Sequence, residues 1–335
     1  MAKQNLVLLN AKVETEPVIE RNEETGEYRY GMCIMDVVRG KRTVGDNKQY
    51  IKHDGPVIVS KDEYMIREME KWKVNDFIEL KGLLVSKDID KVSKCPHCLD
   101  ERGEHTINVK QGTMIYVNPI ESITIAQGLD SQQADRMLLN KKEMSNQIYC
   151  IGTVIKEPRI FRTKFDTIVC DYQVAINRKY HIRTDDPSIR TDWIYVKSYG
   201  ERAVEDKLRL RIGSELSIDG FIQTRNVKRK TVCPHCGQEY IWLDKSTEIV
   251  PYAVEYHKGT YRTDEELEKE ELTEAENLRQ IIYDKLYKQK ISTEESASVE
   301  EDIEDIDRSS YMVNGTTGEN DDDDIPAHLP DGDEA

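Results

Sequence analysis

The chain has no apolar run of the roughly 18 residues that a membrane-spanning helix needs. Its first residues, Met1 to Leu6, lack the apolar core of a secretion signal. These two absences predict a cytoplasmic protein. Catalytic motifs are missing as well, since there is no G-x-x-x-x-G-K-S/T phosphate loop, no G-x-S-x-G and no H-E-x-x-H. We therefore expect a binding protein rather than an enzyme.

Cysteine is sparse, with seven residues in 335, but four of them form two C-P-H-C turns, Cys95–Cys98 and Cys233–Cys236. The first cysteines of the two turns are 138 residues apart. Cys33, Cys150 and Cys170 lie in apolar, strand-like runs, and we expect them to be small buried hydrophobic residues. The repeated turn predicts that the protein contains two copies of one domain.

Charge divides the chain into two parts. The formal net charge is −16, but residues 264–335 alone carry −19 and residues 1–263 carry +3. A slightly basic body with a strongly acidic tail is typical of a protein that binds an anionic ligand and uses the tail for interactions.

Both copies read β-β-β-α-β-loop-β, with landmarks at matching offsets. Pro17 matches Pro158 at an offset of 141, and Gly82 matches Gly220 at an offset of 138. A helix is predicted over Lys61–Trp72, with Ser60 as its N-cap. Five short strands with one helix between the third and fourth are typical of the OB-fold, so we predict a mainly β chain with two tandem OB barrels and long C-x-x-C hairpin loops.

The predicted organisation has five segments. A linker joins the two barrels, a charged helical segment follows the second barrel, and the polar, acidic end cannot bury enough apolar surface to become ordered. In chain order we assign OB domain 1 to 1–127, the linker to 128–145, OB domain 2 to 146–257, the helical segment to 262–290 and the disordered acidic tail to 291–335.

The C-P-H-C turns allow several interpretations. A C-x-x-C pair supplies half of a tetrahedral zinc site, so Cys95, Cys98, Cys233 and Cys236 would complete one structural Zn²⁺ site, within one chain or between chains. The same turn also occurs in dithiol oxidoreductases, but there the first cysteine starts a helix, whereas both turns here lie in hairpins. Reduced cysteines without a metal are the third alternative.

The second unit resembles the bacterial-type single-stranded DNA-binding proteins. The resemblance covers about residues 146–256 and consists of a set of matches. They are Ile151-Gly152-Thr153-Val154 with Glu157-Pro158, Val174-Ala175-Ile176-Asn177-Arg178, Thr191-Asp192-Trp193-Ile194 to Ser198-Tyr199-Gly200, Arg211 to Leu216 with Asp219-Gly220-Phe221-Ile222-Gln223-Thr224-Arg225, and Ser246-Thr247-Glu248-Ile249. The first unit is assigned by duplication, and the paired C-P-H-C turns depart from the family pattern and indicate a divergent member, consistent with a phage or mobile-element origin.

The resemblance implies that strand faces and loops of the second unit bind single-stranded DNA. Trp193 and Tyr199 match stacking positions and share a strand face with Lys197, which suggests an exposed surface. Tyr180 lies in a flanking loop. The expected phosphate contacts are Arg178, Lys179, Arg183, Lys197, Arg225, Lys228, Arg229 and Lys230, and the weaker candidates in the first unit are Tyr28, Tyr30, Lys41, Arg42, Lys48, Tyr50 and Lys52.

The tail segment Asp321-Asp322-Asp323-Asp324-Ile325-Pro326 resembles the acidic tip with which the family recruits partner proteins. It departs from the pattern because nine residues, Ala327 to Ala335, follow the proline. The resemblance implies sequence-independent single-stranded DNA binding in replication, recombination and repair, partner recruitment by the tail, and a homodimer with four barrels. A dithiol oxidoreductase or redox sensor, and a protein-binding OB adaptor in a replication or transcription complex, are the alternatives.

Overall fold

The computed structural model describes residues 4–39, 51–100, 103–163 and 166–258. These residues form twelve β-strands, three α-helices and one short 3-10 helix. The predicted helical segment 262–290 and acidic tail 291–335 lie outside the described residues. Within the described ranges, no helix is both long and apolar enough to cross a membrane.

The first barrel is a closed sheet in which β1, β6, β7, β5 and β3 pair in that circular order. The β5–β7 pair is parallel and the other four pairs are antiparallel. The elements of this unit are β1 (Gln4–Val13), β2 (Val18–Arg21), β3 (Tyr28–Arg39), β4 (Lys52–Asp54), β5 (Val57–Ser60), α1 (Glu63–Met69), β6 (Phe77–Leu99) and β7 (His105–Ala126).

The second barrel repeats this arrangement. Strands β8, β11, β12, β10 and β9 close in the same order, and β10–β12 is the parallel pair. The linker helix α2 (Ser131–Asn140) and a 3-10 turn (Lys142–Met144) precede it. Its own elements are β8 (Asn146–Arg162), β9 (Ile168–Asn177), β10 (Thr191–Tyr199), α3 (Gly200–Arg209), β11 (Glu215–Val232) and β12 (Glu239–Tyr256). The predicted mainly β fold with two tandem OB barrels is confirmed.

A buried asparagine makes the same contact in each barrel. Asn5 exchanges two hydrogen bonds of 2.8 and 2.9 Å with the backbone of Leu84. Asn146 exchanges two bonds of the same lengths with the backbone of Ile222. The side-chain amide satisfies one backbone donor and one acceptor that would otherwise be buried without partners, which is costly. Identical polar contacts at equivalent places support an internal duplication.

Gly82 and Gly220 mark equivalent β-bulges. Gly82 pairs with Pro119 and Gly220 pairs with Pro251, and the register shifts beside each glycine. A Cβ atom at Gly82 would lie 2.6 Å from the carbonyl oxygen of Asn118, and one at Gly220 would lie 2.4 Å from that of Val250. Both positions therefore require glycine because the neighbouring backbone approaches too closely for any side chain.

The two barrels are joined by pairing between their first strands. Strands β1 and β8 run antiparallel, with Val7 opposite Ile148 and Leu6 opposite Tyr149. Val7 and Ile148 are themselves equivalent at the repeat offset of 141, so a pseudo-twofold axis passes close to this pair. Such self-complementary pairing is the geometry of a twofold dimer, here made within one chain. Buried apolar residues from both barrels form one continuous core cluster.

Two local predictions were wrong. Asp62, not Ser60, caps helix α1, because the Asp62 side chain accepts a hydrogen bond from the Met65 N–H while Ser60 is still the last residue of β5. The expected polar hairpin loops are instead long strand extensions that reach Leu99 and Val232. Pairing between strands continues along these polar segments because the two hairpins pack against each other, a contact that local sequence does not encode.

Candidate metal centre and nucleic-acid interface

The long hairpins β6–β7 and β11–β12 pack against each other, and polar contacts join their facing sides. The Lys91 ammonium lies 2.7 Å from an Asp244 carboxylate oxygen, and the Arg229 guanidinium lies 3.3 Å from the same carboxylate. Further along, the Tyr240 hydroxyl lies 2.7 Å from the Ser93 hydroxyl and accepts a hydrogen bond from Asn108 at 2.8 Å. These contacts bring the two C-P-H-C turns together.

The four cysteines of the turns meet at the end of the paired hairpins. Their sulfur atoms all lie within 4.8 Å of one another. The distance from Cys95 Sγ to Cys236 Sγ is 3.8 Å, and that from Cys98 Sγ to Cys233 Sγ is 3.6 Å. These two contacts join different hairpins within a single chain.

The cysteine group fits a tetrahedral metal ion. Four Zn–S bonds of about 2.3 Å place neighbouring sulfurs about 3.8 Å apart, close to the separations of 3.6 and 3.8 Å between the hairpins. Cys95 and Cys233 are buried, Cys98 is half-buried and Cys236 is exposed, so the group lies at the protein surface with two protected ligands. Among the described residues, no histidine belongs to this group.

Hydrogen bonds around Cys233 favour its thiolate form. Burial alone would raise its pKa, but the backbone N–H groups of Cys236 and His235 and the side chain of Asn108 lower the pKa of Cys233 to about 6. The Asn108 amide nitrogen lies 3.5 Å from the sulfur. Cysteine binds metal ions as the thiolate, so these donors favour the form in which Cys233 would act as a ligand.

The remaining cysteines are structural, as predicted. Cys33, Cys150 and Cys170 are buried in strands β3, β8 and β9. Burial raises the pKa of Cys33 and of Cys150 to about 12, and it raises the pKa of Cys170 as well. A thiol with a strongly raised pKa does not form the reactive thiolate at neutral pH.

An exposed aromatic face lies on β10 of the second barrel. Trp193 is 51% exposed and Tyr195 is 39% exposed. Across the sheet they lie opposite the small or polar residues Ala175 and Gln173, which leave the ring faces accessible. Sequence reasoning selected Trp193 and missed Tyr195, although the two-residue alternation along the strand would have indicated it.

Two other predicted residues lie on the same face of this strand but are buried. Tyr199 is 6% exposed and packs in an apolar cluster with Phe221 and Val250. Lys197 is 7% exposed, and its ammonium lies 3.2 Å from Glu248. Side chains of β11 and β12 cover this part of the face, because Phe221 and Val250 pack with Tyr199 and Glu248 lies beside Lys197. The expectation of one exposed face from Trp193 to Tyr199 was therefore wrong.

Several predicted phosphate contacts are paired with carboxylates of the protein. Arg178 is buried, with two nitrogens 2.6 and 2.7 Å from the Asp192 carboxylate. Arg225 lies 2.7 Å from Glu248. Arg229 is bound to Asp244, and Lys230 lies 2.5 Å from Glu239. Buried or paired guanidinium groups stabilise the fold and are poorly placed to attract a phosphate.

The loop between β9 and β10 carries the exposed cations. Lys179, Tyr180 and Arg183 lie on its surface, and the Lys179 ammonium is 5.6 Å from the Tyr180 ring centroid. The structure adds Arg190 and His181, which sequence reasoning missed, because they line the same cavity as Lys179 and Tyr180. Lys228, partly exposed, lies on the outer side of the β11–β12 hairpin.

Other predicted residues fall elsewhere. In the first unit, the Tyr28 hydroxyl donates a hydrogen bond of 2.8 Å to Glu70, away from any aromatic face. Tyr30 and Lys52 lie on β3 and β4. The candidates Lys41, Arg42, Lys48 and Tyr50 and the tail residues Asp321, Asp322, Asp323, Asp324, Ile325 and Pro326 lie outside the described residues.

Comparison with known proteins gives one family match. Residues 145–235 match the single-strand binding protein family. Two solved structures of the single-stranded DNA-binding protein from Thermus aquaticus are similar to the chain. A deletion mutant of that protein has 14% identity to this chain and a TM-score of 0.47, and the match covers 79% of this chain and all of the other. The wild-type protein has 12% identity and a TM-score of 0.45, covering 81% of this chain and all of the other.

No curated protein sequence matches the chain. The family match spans β8 to the second C-P-H-C turn and thus includes β9, β10, α3 and the aromatic face. It confirms the resemblance stated from the sequence, and it agrees with the expectation of a binding protein that is not an enzyme. Residues 145–235, which make up most of the second barrel, therefore match the single-strand binding protein family.

Proposed function

We propose that the protein binds and protects single-stranded DNA, without sequence preference, during replication, recombination and repair. One observation carries the proposal: Trp193 and Tyr195 stand exposed on the strand face of an OB barrel that matches the family. Base stacking on aromatic side chains contributes about 1–3 kcal/mol per base and tolerates every base. The neighbouring loop supplies the cations Lys179, Arg183 and Arg190 for the phosphates.

A titration with a fluorescently labelled oligo-dT, followed by anisotropy at low salt, tests this function. We expect wild-type protein to bind, and Trp193→Ala and Tyr195→Ala each to weaken binding by about tenfold, since one stacked base is lost. Tyr64→Ala is the matched control, because Tyr64 is a 70% exposed tyrosine on helix α1, away from the proposed face. Wild-type affinity in both β10 variants would refute the proposal.

We also propose that Cys95, Cys98, Cys233 and Cys236 hold one structural Zn²⁺. The spacing of the four sulfurs and the hydrogen-bond donors that favour the Cys233 thiolate support this choice. The ion would neutralise the thiolates and fix the two hairpins to each other. The first turn lies in strand β6 and the second between β11 and β12, rather than at the start of a helix, so a dithiol oxidoreductase is the weaker interpretation.

Partner recruitment is assigned to the tail on sequence grounds alone. The run Asp321–Asp324 followed by Ile325 and Pro326 resembles the family's acidic tip. Its charge would also compete with DNA for cations on the body. We propose that two chains associate into a cytoplasmic homodimer with four barrels. We keep the limits 1–127, 128–145, 146–257, 262–290 and 291–335 as the proposed domain organisation.

A second candidate function, a protein-binding adaptor, is favoured by exposed aliphatic residues on the outer faces of both hairpins. Val92 and Val109 are 55% and 61% exposed on the first hairpin, and Ile241 and Leu243 are 60% and 59% exposed on the second. Exposed apolar groups of this kind mark interaction surfaces. The oligo-dT titration separates the two functions, because an adaptor that binds only protein gives no anisotropy change at low salt.

A further inference from the structure

The second barrel fixes its aromatic face to a serine of the first barrel. The backbone N–H of Trp193 donates a hydrogen bond of 2.9 Å to the Ser86 hydroxyl oxygen. In return, the backbone N–H of Ser86 donates a bond of 2.9 Å to the Asp192 carboxylate. Arg178 holds the same carboxylate from the other side. The backbone that carries Trp193 is thus held between Ser86 and Arg178.

We call this pair of hydrogen bonds, together with the arginine that holds the aspartate, a clasp. A second, equivalent clasp exists with the roles of the two barrels exchanged. The backbone N–H of Gly55 donates a hydrogen bond of 2.7 Å to the Thr224 hydroxyl oxygen, and the Thr224 N–H donates one of 2.8 Å to Asp54. Arg39 holds Asp54, with its Nε 3.0 Å from the carboxylate. Three equivalent pairs, each 138 residues apart, form the two clasps: Asp54 and Asp192, Gly55 and Trp193, and Ser86 and Thr224.

The two clasps differ in what they hold. Ser86 holds a tryptophan that is 51% exposed, whereas Thr224 holds a glycine with no side chain to present. The second clasp is therefore an internal control for the first. We expect both clasps to stabilise the interface between the barrels equally, but only the Ser86 clasp holds the backbone of an exposed aromatic residue.

In the first barrel, the face equivalent to the aromatic face of β10 is covered. Thr153 lies opposite Ala175 in the second barrel, while Lys12 lies opposite Asp36 at the equivalent place in the first. The Lys12 side chain is only 10% exposed, because its ammonium lies 3.2 Å from Asp36 and 2.7 Å from Asp135 of helix α2. Charges and the linker helix occupy the place where the second barrel presents its aromatic residues.

We propose that the first barrel acts as a positioning element for the second, with Ser86 as the positioning residue that sets the orientation of Trp193 for base stacking. This inference rests on the proposed function. Bases stack only on the second barrel, and the first barrel contributes to affinity through the clasp. Fixing a side chain before binding reduces the ordering cost of binding.

Four full-length variants test the proposal: Ser86→Ala, Ser86→Thr, Thr224→Ala and Trp193→Ala. Each alanine variant of the clasps removes one hydroxyl acceptor and leaves the backbone N–H bond to the aspartate in place. Oligo-dT affinity is measured by anisotropy, and thermal unfolding is measured in parallel. We expect Ser86→Ala to weaken binding about fivefold, the loss of roughly one hydrogen bond.

Thr224→Ala should lower the unfolding temperature by about as much as Ser86→Ala does, but it should leave the oligo-dT affinity unchanged. Ser86→Thr should keep wild-type affinity, because the threonine hydroxyl at position 224 already accepts the equivalent backbone hydrogen bond. Equal loss of affinity in Ser86→Ala and Thr224→Ala, or none in either, would overturn the positioning role. Wild-type affinity in Trp193→Ala would instead refute the stacking face of the proposed function itself, so the two failures are distinguishable.

Discussion

Lys91 and Asp244 form an ion pair between the two long hairpins, with side chains only 17% and 8% exposed. Removing one partner leaves a buried charge without compensation, which costs about 3–5 kcal/mol. We expect Asp244→Ala to lower the free energy of unfolding by about 3 kcal/mol, measured by denaturant titration. The double variant Lys91→Met, Asp244→Leu should recover most of that loss. Lys230→Ala, at an exposed pair with Glu239, is the control and should change stability by less than about 1 kcal/mol.

Elemental analysis should find one zinc ion per chain in protein purified without chelator. Cys233→Ala should lose the ion, and both chelation and this variant should lower the unfolding temperature, by about 10 °C if several kcal/mol are lost. His235→Ala is the matched control, because His235 lies in the same turn and outside the sulfur group. Metal-free wild-type protein with unchanged stability under chelation would contradict the zinc assignment.

Asp206 predicts a specific dependence of stability on pH. Burial raises the pKa of this carboxyl group to about 6, although hydrogen bonds from Ser198 and Tyr256 act in the opposite direction. The folded state therefore binds the proton more tightly than the unfolded state. This contribution to stability is complete below about pH 4 and is lost as the pH rises through 6.

The free energy of unfolding of wild type, relative to Asp206→Asn, should fall by up to about 3 kcal/mol between pH 4 and pH 7. Asp219→Asn is the control, because Asp219 is an exposed residue of β11, and it should follow the wild-type profile. Parallel profiles for wild type and Asp206→Asn would show that burial does not shift this group.

Salt dependence separates the loop cations from the aromatic face. Replacing Lys179, Arg183 and Arg190 together with glutamine should reduce the slope of log affinity against log salt by about 2, since each phosphate contact to a single strand contributes about 0.7. Trp193→Ala should weaken binding at every salt concentration with an unchanged slope. An unchanged slope in the triple variant would place the phosphates elsewhere on the body.

The duplication and the meeting of the cysteines could be predicted from the sequence because both depend on spacing. The offsets of 138 at Gly82 and Cys95 made the two hairpins equivalent, and equivalent hairpins with half a zinc site each have a simple way to complete it. The strand order followed from alternation and from the helix between the third and fourth strands.

The burial of Lys197 and Tyr199 could not be predicted, because alternation identifies a strand face but not what covers it. Glu248, which pairs with Lys197, is 51 residues away, and it becomes a neighbour only through the parallel β10–β12 contact. The clasp of Ser86 with Trp193 joins residues 107 apart and depends on the docking of two barrels. Tyr195 was within reach of the sequence, since it is two residues beyond Trp193 on the same strand.

The pairing of β1 with β8 has a thermodynamic consequence. Two separate single-barrel proteins would meet through this edge only at concentrations above their dissociation constant. A covalent link makes the encounter intramolecular, with an effective concentration that dilution does not change. The paired barrels, with the clasp and the sulfur group that they create together, therefore persist even when only a few copies of the chain are present in a cell.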